Sequence, residues 1–285
     1  WDAGYTGQGQ VVAVLDTGIE AAHPMLAGKV VQSISFTGDS VGDAVGHGTH
    51  VAGIIAGKEN GIGTYDGVAP DAQLWNVKVL DNTGHGAESW IMAGINYAVD
   101  PDGNPTTEDG VKIINMSLGG SYTDPDSPIV AAVADAVAQG VTVVIASGNC
   151  GPGCPSSDCQ GFIGVETPGD APDAITVGAV DDASQWACFS SGGLVGGGSS
   201  LKPDVVAPGV GISSSYVGGI VAPLSGTSAA APHVSGLVAL LLQANPGTSP
   251  AAVKNLVEQT AIDFGDPGKD VKYGSGLVDA QSLLP

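Results

Sequence analysis

Short apolar runs of strand length alternate with longer stretches of helical periodicity along the chain. Val11-Val12-Ala13-Val14-Leu15 has no polar position, which predicts a strand buried on both faces, and Asp16-Thr17-Gly18 ends it. The runs at 74–80, 113–116, 141–146, 175–180 and 204–206 predict further buried strands. Helical patterns cover 50–56, 87–99, 129–139 and 228–244, with Pro232 expected in the first turn of the last, where proline is tolerated. Continuously apolar strands separated by helices predict an α/β fold, with a mainly parallel central sheet flanked by helices on both faces. Ligands of such sheets sit beyond the carboxyl ends of the strands. No composition break marks a linker and no repeat recurs, so residues 1–285 read as one domain. The Gly/Ser-rich stretch 190–200 reads as a surface loop.

Composition narrows the function classes. Across 285 residues, 43% are hydrophobic and 45 are Gly, which fits a packed core with many tight turns and excludes a disordered chain. With 29 acidic against 8 basic residues, the net charge of −21 repels phosphate backbones and argues against nucleic acid as a partner. It suits a secreted or salt-tolerant surface. All eight basic residues are Lys, where ordinary usage gives on the order of a dozen Arg. No apolar run reaches the roughly 18 residues of a membrane span. The chain opens at Trp1 without a signal-like segment and reads as a mature form. Four cysteines stand at 150, 154, 159 and 188. The short spacing of the first three admits zinc, but Cys188 stands alone, so two disulfides and an oxidising compartment are expected, with all three pairings open.

Three strings carry candidate chemistry. Asp16 follows an apolar strand in Leu15-Asp16-Thr17-Gly18; it could cap a turn, or serve an aspartic protease, which needs a second such loop or a homodimer. His47 lies in Gly46-His47-Gly48-Thr49-His50. The HxxH spacing suggests a metal, yet the Glu of H-E-x-x-H is missing, and a histidine between glycines suits a base that a substrate approaches. Ser228, in Ser225-Gly226-Thr227-Ser228-Ala229, opens a long apolar helix, where free N–H groups favour an anion; a plain helix cap is the bland alternative.

Asp, His and Ser in this chain order, each in a glycine-containing string, resemble the subtilisin-like serine proteases, the subtilases. The likeness extends to Gly67-Val68-Ala69-Pro70, Lys78-Val79-Leu80, Asn115-Met116-Ser117-Leu118-Gly119-Gly120 and Lys202-Pro203-Asp204-Val205-Val206-Ala207-Pro208-Gly209. It implies a subtilisin-like three-layer fold and a secreted, extracellular, monomeric endopeptidase acting on proteins or peptides, with its own propeptide as inhibitor. Ser228 would be the nucleophile, His47 the general base and Asp16 its orienting carboxylate. Asn149, in Ala146-Ser147-Gly148-Asn149, would donate to the oxyanion. Gly84 and Gly86, with Ser117, Leu118 and Gly119, would clamp the substrate as an added strand. An inactive, binding-only homologue and a dimeric aspartic protease are the rival readings.

Two departures from the family pattern matter. Glu166, two residues before Pro168, stands where the family usually has a small residue at the base of the primary specificity pocket. A buried carboxylate there calls for a substrate Arg or Lys, and an arginine-free chain would then resist its own cutting. The alternative is a Glu166 that faces solvent, with large apolar residues preferred. The resemblance also implies structural calcium. Asn60, within the 58–64 loop, would be a ligand, although Met25 replaces a usual Asp; Asp100 and Asp102 form a second oxygen-rich cluster.

Overall fold

The computed structural model describes residues 1–58, 65–104, 109–198 and 200–285. In chain order the elements are β1 (Val11–Asp16), β2 (Val30–Ser35), α1 (His47–Ala56), β3 (Gln73–Lys78), α2 (Glu88–Val99), β4 (Ile113–Met116), α3 (Pro128–Ala138) and β5 (Thr142–Ala146). There follow β6 (Ile175–Val180), β7 (Gly193–Val195), β8 (Ser200–Lys202), β9 (Val205–Pro208), β10 (Ile212–Tyr216), β11 (Ile220–Leu224), α4 (Thr227–Ala244), α5 (Pro250–Gln259) and α6 (Ala280–Leu283).

Seven strands form one parallel sheet in the order β2-β3-β1-β4-β5-β6-β9. Successive residues of a strand face opposite sides, so β1 divides its apolar residues between two layers. Val12 and Val14 pack with α1, α4 and α5 on one face. Ala13 and Leu15 pack with α2 and α3 on the other. The continuous apolar strands of the sequence are thus buried on both sides, and the three-layer α/β expectation is met. The apolar helix α4 has the length and composition of a membrane span, but 78% of it is buried within the protein.

The differences from the sequence reading have local causes. The first helix begins at His47 instead of 50, because Gly46 takes a left-handed φ of 96° and turns the chain into it. The strand β2 alternates between half-buried and exposed positions at the sheet edge, so it offers no apolar run to recognise. The helix α5 buries only Val253 and Val257, so its apolar stripe is narrow, and its other signals are the Ser249 cap and Pro250 at its start. The 190–200 stretch is more than a surface loop: Ser190 and Ser191 are fully buried, and β7 pairs with β8. Since α4 begins at Thr227, Pro232 is its sixth residue and lies beyond the first turn.

The acidic chain spends three of its few lysines at one buried point. Asp204 is 1% exposed and receives Lys202 at 2.7 Å, Lys254 at 3.1 Å and Lys269 at 2.8 Å. Burial alone would raise its carboxyl, but the lysines, Lys202 foremost, hold it well below the usual carboxylate range. Burial in turn pulls Lys202 down to about 8. The Thr176 N–H also donates to Asp204, so the cluster ties β6 and β9 to α5 and the C-terminal loops. Asp204→Asn leaves three ammonium groups without this countercharge and is expected to destabilise the fold by about 3–5 kcal/mol. Urea unfolding at neutral pH checks this, and a loss below about 1 kcal/mol would count against it.

Candidate active site

Parallel pairing places three strand ends side by side, and the expected chemistry lies at their carboxyl ends. Asp16 is the last residue of β1, Ser117 directly follows β4, and Asn149 lies three residues beyond β5. A cleft of about 590 Å³ opens there, lined among others by His47, Gly84, Gly86, Ser117, Leu118, Gly119, Asn149, Glu166 and Ser228. The fold therefore gathers residues from positions 47 to 228 into one groove.

Asp16 is 1% exposed and its Oδ1 lies 2.7 Å from His47 Nδ1; the same oxygen accepts the Thr17 N–H. A carboxylate offers only acceptors, so Nδ1 carries the proton and Nε2 is the free base. Burial would lower the imidazole pKa, but the charge and hydrogen bond of Asp16, with a contribution from Asp43, hold it above its ordinary value. Asp16 thus faces a histidine and not a second carboxylate, which removes the basis of the aspartic protease reading. His50 is not a metal partner of His47 either. Its Nε2 is engaged by the carbonyls of Ile212 and Ala222 in the β10–β11 hairpin.

Ser228 is the second residue of α4. The Thr227 N–H donates to Asn149 Oδ1 at 2.9 Å, and the Ala229 N–H donates to Gly226 O at 3.0 Å. These bonds commit Asn149 Oδ1 as an acceptor and leave its Nδ2 and the Ser228 N–H as donors at the cleft. Pro232 has no N–H for the carbonyl four residues back, which is that of Ser228. Ser117 Oγ donates to this carbonyl at 2.9 Å, Asn115 Nδ2 donates to Ser117 Oγ, and Ser235 Oγ donates to Asn115 Oδ1. A buried polar chain therefore fixes the start of α4 against the end of β4. The sequence reading placed Ser117 in the clamp and missed this second task; the proline four residues after Ser228 was its signal.

The Gly84-His85-Gly86 lip is held by Asp81, whose Oδ1 accepts the N–H groups of Thr83 and His85. On the opposite wall, Gly120 bridges to Thr167, which links the 117–120 segment to the loop carrying Glu166. Glu166 is 9% exposed and faces the cleft interior. Its Oε1 accepts the Asn149 N–H at 2.7 Å. A Cβ on Gly148 would come within 2.5 Å of its Cδ, and one on Gly119 within 2.9 Å of Oε2, so both glycines make room for this side chain. Burial raises the Glu166 carboxyl above its ordinary value, opposed by the Asn149 N–H and reinforced by Asp158.

Two disulfides, Cys150–Cys159 and Cys154–Cys188, settle the pairing and set zinc aside. The first closes the loop behind Asn149, and Cys159 borders the cleft. Away from the cleft, Asp100 and Asp102 converge with Asp109, with ligand atoms within 4.8 Å of one another. The sequence reading did not include Asp109, which stands beyond the Asp100–Asn104 turn. Asn60 lies outside the described residues.

Comparison with known proteins agrees with this geometry. The subtilase family pattern matches residues 7–276. Over 282 residues the chain is 41% identical to subtilisin E of Bacillus subtilis (strain 168), covering 98% of this chain and 66% of that protein. It is equally similar, at 41% over 282 residues, to a subtilisin of Bacillus pumilus, of which it covers 92%. Subtilisin Savinase of Lederbergia lenta is 41% identical over 279 residues, again with 92% covered. The chain belongs to the subtilase family of subtilisin-like serine endopeptidases.

Proposed function

We propose that residues 1–285 form one secreted peptidase domain that cleaves peptide bonds through an acyl-enzyme on Ser228. The observation that carries this reading is the 2.7 Å Asp16–His47 bond in the same cleft as Ser228 and Asn149. His47 Nε2 takes the Ser228 proton as Oγ attacks the scissile carbonyl, and then delivers it to the leaving amine. Asp16 keeps the imidazole in the required tautomer and offsets its charge. Asn149 Nδ2 and the Ser228 N–H hold the oxyanion, and water then releases the acyl group by the reverse sequence. The substrate lies extended between 84–86 and 117–119, so main-chain bonding admits varied sequences. Two disulfides support an oxidising, extracellular setting. A fluorophosphonate probe is expected to label Ser228, and Ser228→Ala to lower kcat at least about 10⁴-fold. Full activity in that variant would overturn the reading.

Specificity follows from Glu166, whose buried carboxylate has no cationic partner among the described residues. A substrate arginine reaching the carboxylate would supply one, with two parallel hydrogen bonds, and lysine would do so less well. Because burial raises the Glu166 carboxyl, the preference for Arg is expected to strengthen as pH rises through that raised value. Mass spectrometry of a digested protein mixture should show cuts after Arg, with Lys weaker. Glu166→Gln should lower kcat/KM for Arg substrates about 100-fold. Cuts confined to Leu, Phe and Tyr would sink the assignment.

Calcium is proposed as a structural ion. Three converging carboxylates, Asp100, Asp102 and Asp109, are hard oxygen donors of the kind calcium takes, and the cluster lies outside the reacting groups. A chelator is expected to lower the unfolding temperature of the parent protein and leave that of Asp100→Ala/Asp102→Ala unchanged. An equal drop in both would place the ion elsewhere.

A further inference from the structure

We propose that Asp43 is the positioning residue of the Asp16–His47 pair, joining the end of β1 to the first turn of α1 and adding a second negative charge to the setting of the imidazole. The proposal rests on the triad reading. One carboxylate collects five hydrogen bonds. Oδ1 accepts Thr17 Oγ1 at 2.9 Å, the Val45 N–H at 2.9 Å and the Gly46 N–H at 2.8 Å. Oδ2 accepts the Thr49 N–H at 2.9 Å and Thr49 Oγ1 at 2.7 Å. Thr17 Oγ1 in turn accepts the Gly48 N–H at 2.9 Å. Thr17 follows Asp16, and Gly46 and Gly48 flank His47, so the network closes around both members of the pair.

The arrangement has a physical origin at the start of α1. A helix start leaves N–H groups open, and a side chain at the capping position usually accepts one. Here that position is Gly46, which makes no side-chain cap. A Cβ at Gly46 would lie 2.4 Å from the Tyr216 ring, so no Ser, Thr or Asp fits. Asp43, three residues upstream, performs the capping instead, and its charge lies at the positive end of the helix.

The same charge bears on the reaction. Around His47 stand Asp16 at the end of β1, Asp43, His50 on α1 itself and His85 on the facing lip, with Lys78 at the end of β3 beside Asp16. Lys78 is fully buried, stands opposite Asp16 in the β1–β3 register and donates to Thr17 O. Asp39 and Asp81 also act on this lysine. Asp16, Asp43 and Lys78 together carry one net negative charge, which the imidazolium formed during reaction balances. Removing the Asp43 charge leaves that imidazolium with Asp16 alone in support.

The test compares pH profiles of kcat/KM for the intact protein and for Asp43→Asn, beside His47→Ala. Asp43→Asn is expected to lower kcat roughly tenfold with KM little changed. Its acid limb should move down by about half a pH unit, since the imidazolium loses support. Thr17→Val, which cuts the tie and keeps the charge, should lower kcat with the limb in place, and it decides the positioning role if Asp43→Asn does not fold. An unmoved limb in a folded Asp43→Asn, or unchanged kcat in Thr17→Val, would overturn the proposal. Activity surviving in His47→Ala would instead overturn the triad reading beneath it.

Discussion

A carboxylate removed from water needs hydrogen bonds and nearby positive charge, and Asp16 at the end of β1 meets this need through one oxygen, Oδ1, while its buried Oδ2 has no hydrogen-bond partner among the described residues. It is 1% exposed, with the Thr17 N–H and His47 on one oxygen and Lys78 alongside in register. Each of these partners comes from a different part of the fold. The strand β1 must lie between β3 and β4, α1 must begin at His47, and β3 must end on a buried lysine. A shift of one residue in the β1–β3 register would turn Lys78 to the other face and leave the carboxylate without it.

On the opposite side of the cleft the governing constraint is a missing hydrogen bond. Pro232 frees the Ser228 carbonyl, and the Ser235–Asn115–Ser117 chain supplies the replacement from β4. Asn149 fixes the preceding turn through the Thr227 N–H. The start of α4 is therefore held from two neighbouring strands, and Ser228 does not depend on helix propensity for its position. Preorganisation of this kind lets donors meet developing charge without moving.

Glu166 introduces a tension into the same region. Its carboxylate is tied to the Asn149 segment, because Oε1 accepts the Asn149 N–H. The Glu166 carboxylate and the Asn149 side chain are thus joined through one residue, with Gly119 and Gly148 yielding the space. The Cys150–Cys159 disulfide begins at the next residue and limits how far that segment can relax.

Much of this was legible in the chain itself. Unbroken apolar runs such as 11–15 and 143–146 report burial on both faces, since a half-exposed strand would alternate, and the three-layer parallel sheet follows. The Asp16, His47 and Ser228 strings, read together, named the groups that the cleft unites. Edge strand β2 and helix α5 escaped because each buries few apolar side chains and leaves no continuous apolar run. What only the tertiary structure decided were matters of distance across the chain: the disulfide pairing, the three lysines on Asp204, the inward direction of Glu166 and the five bonds on Asp43. Local periodicity records which face of an element is buried. Which side chains then meet depends on strand order and register, and those are settled by the packing of the whole sheet and its two helical layers.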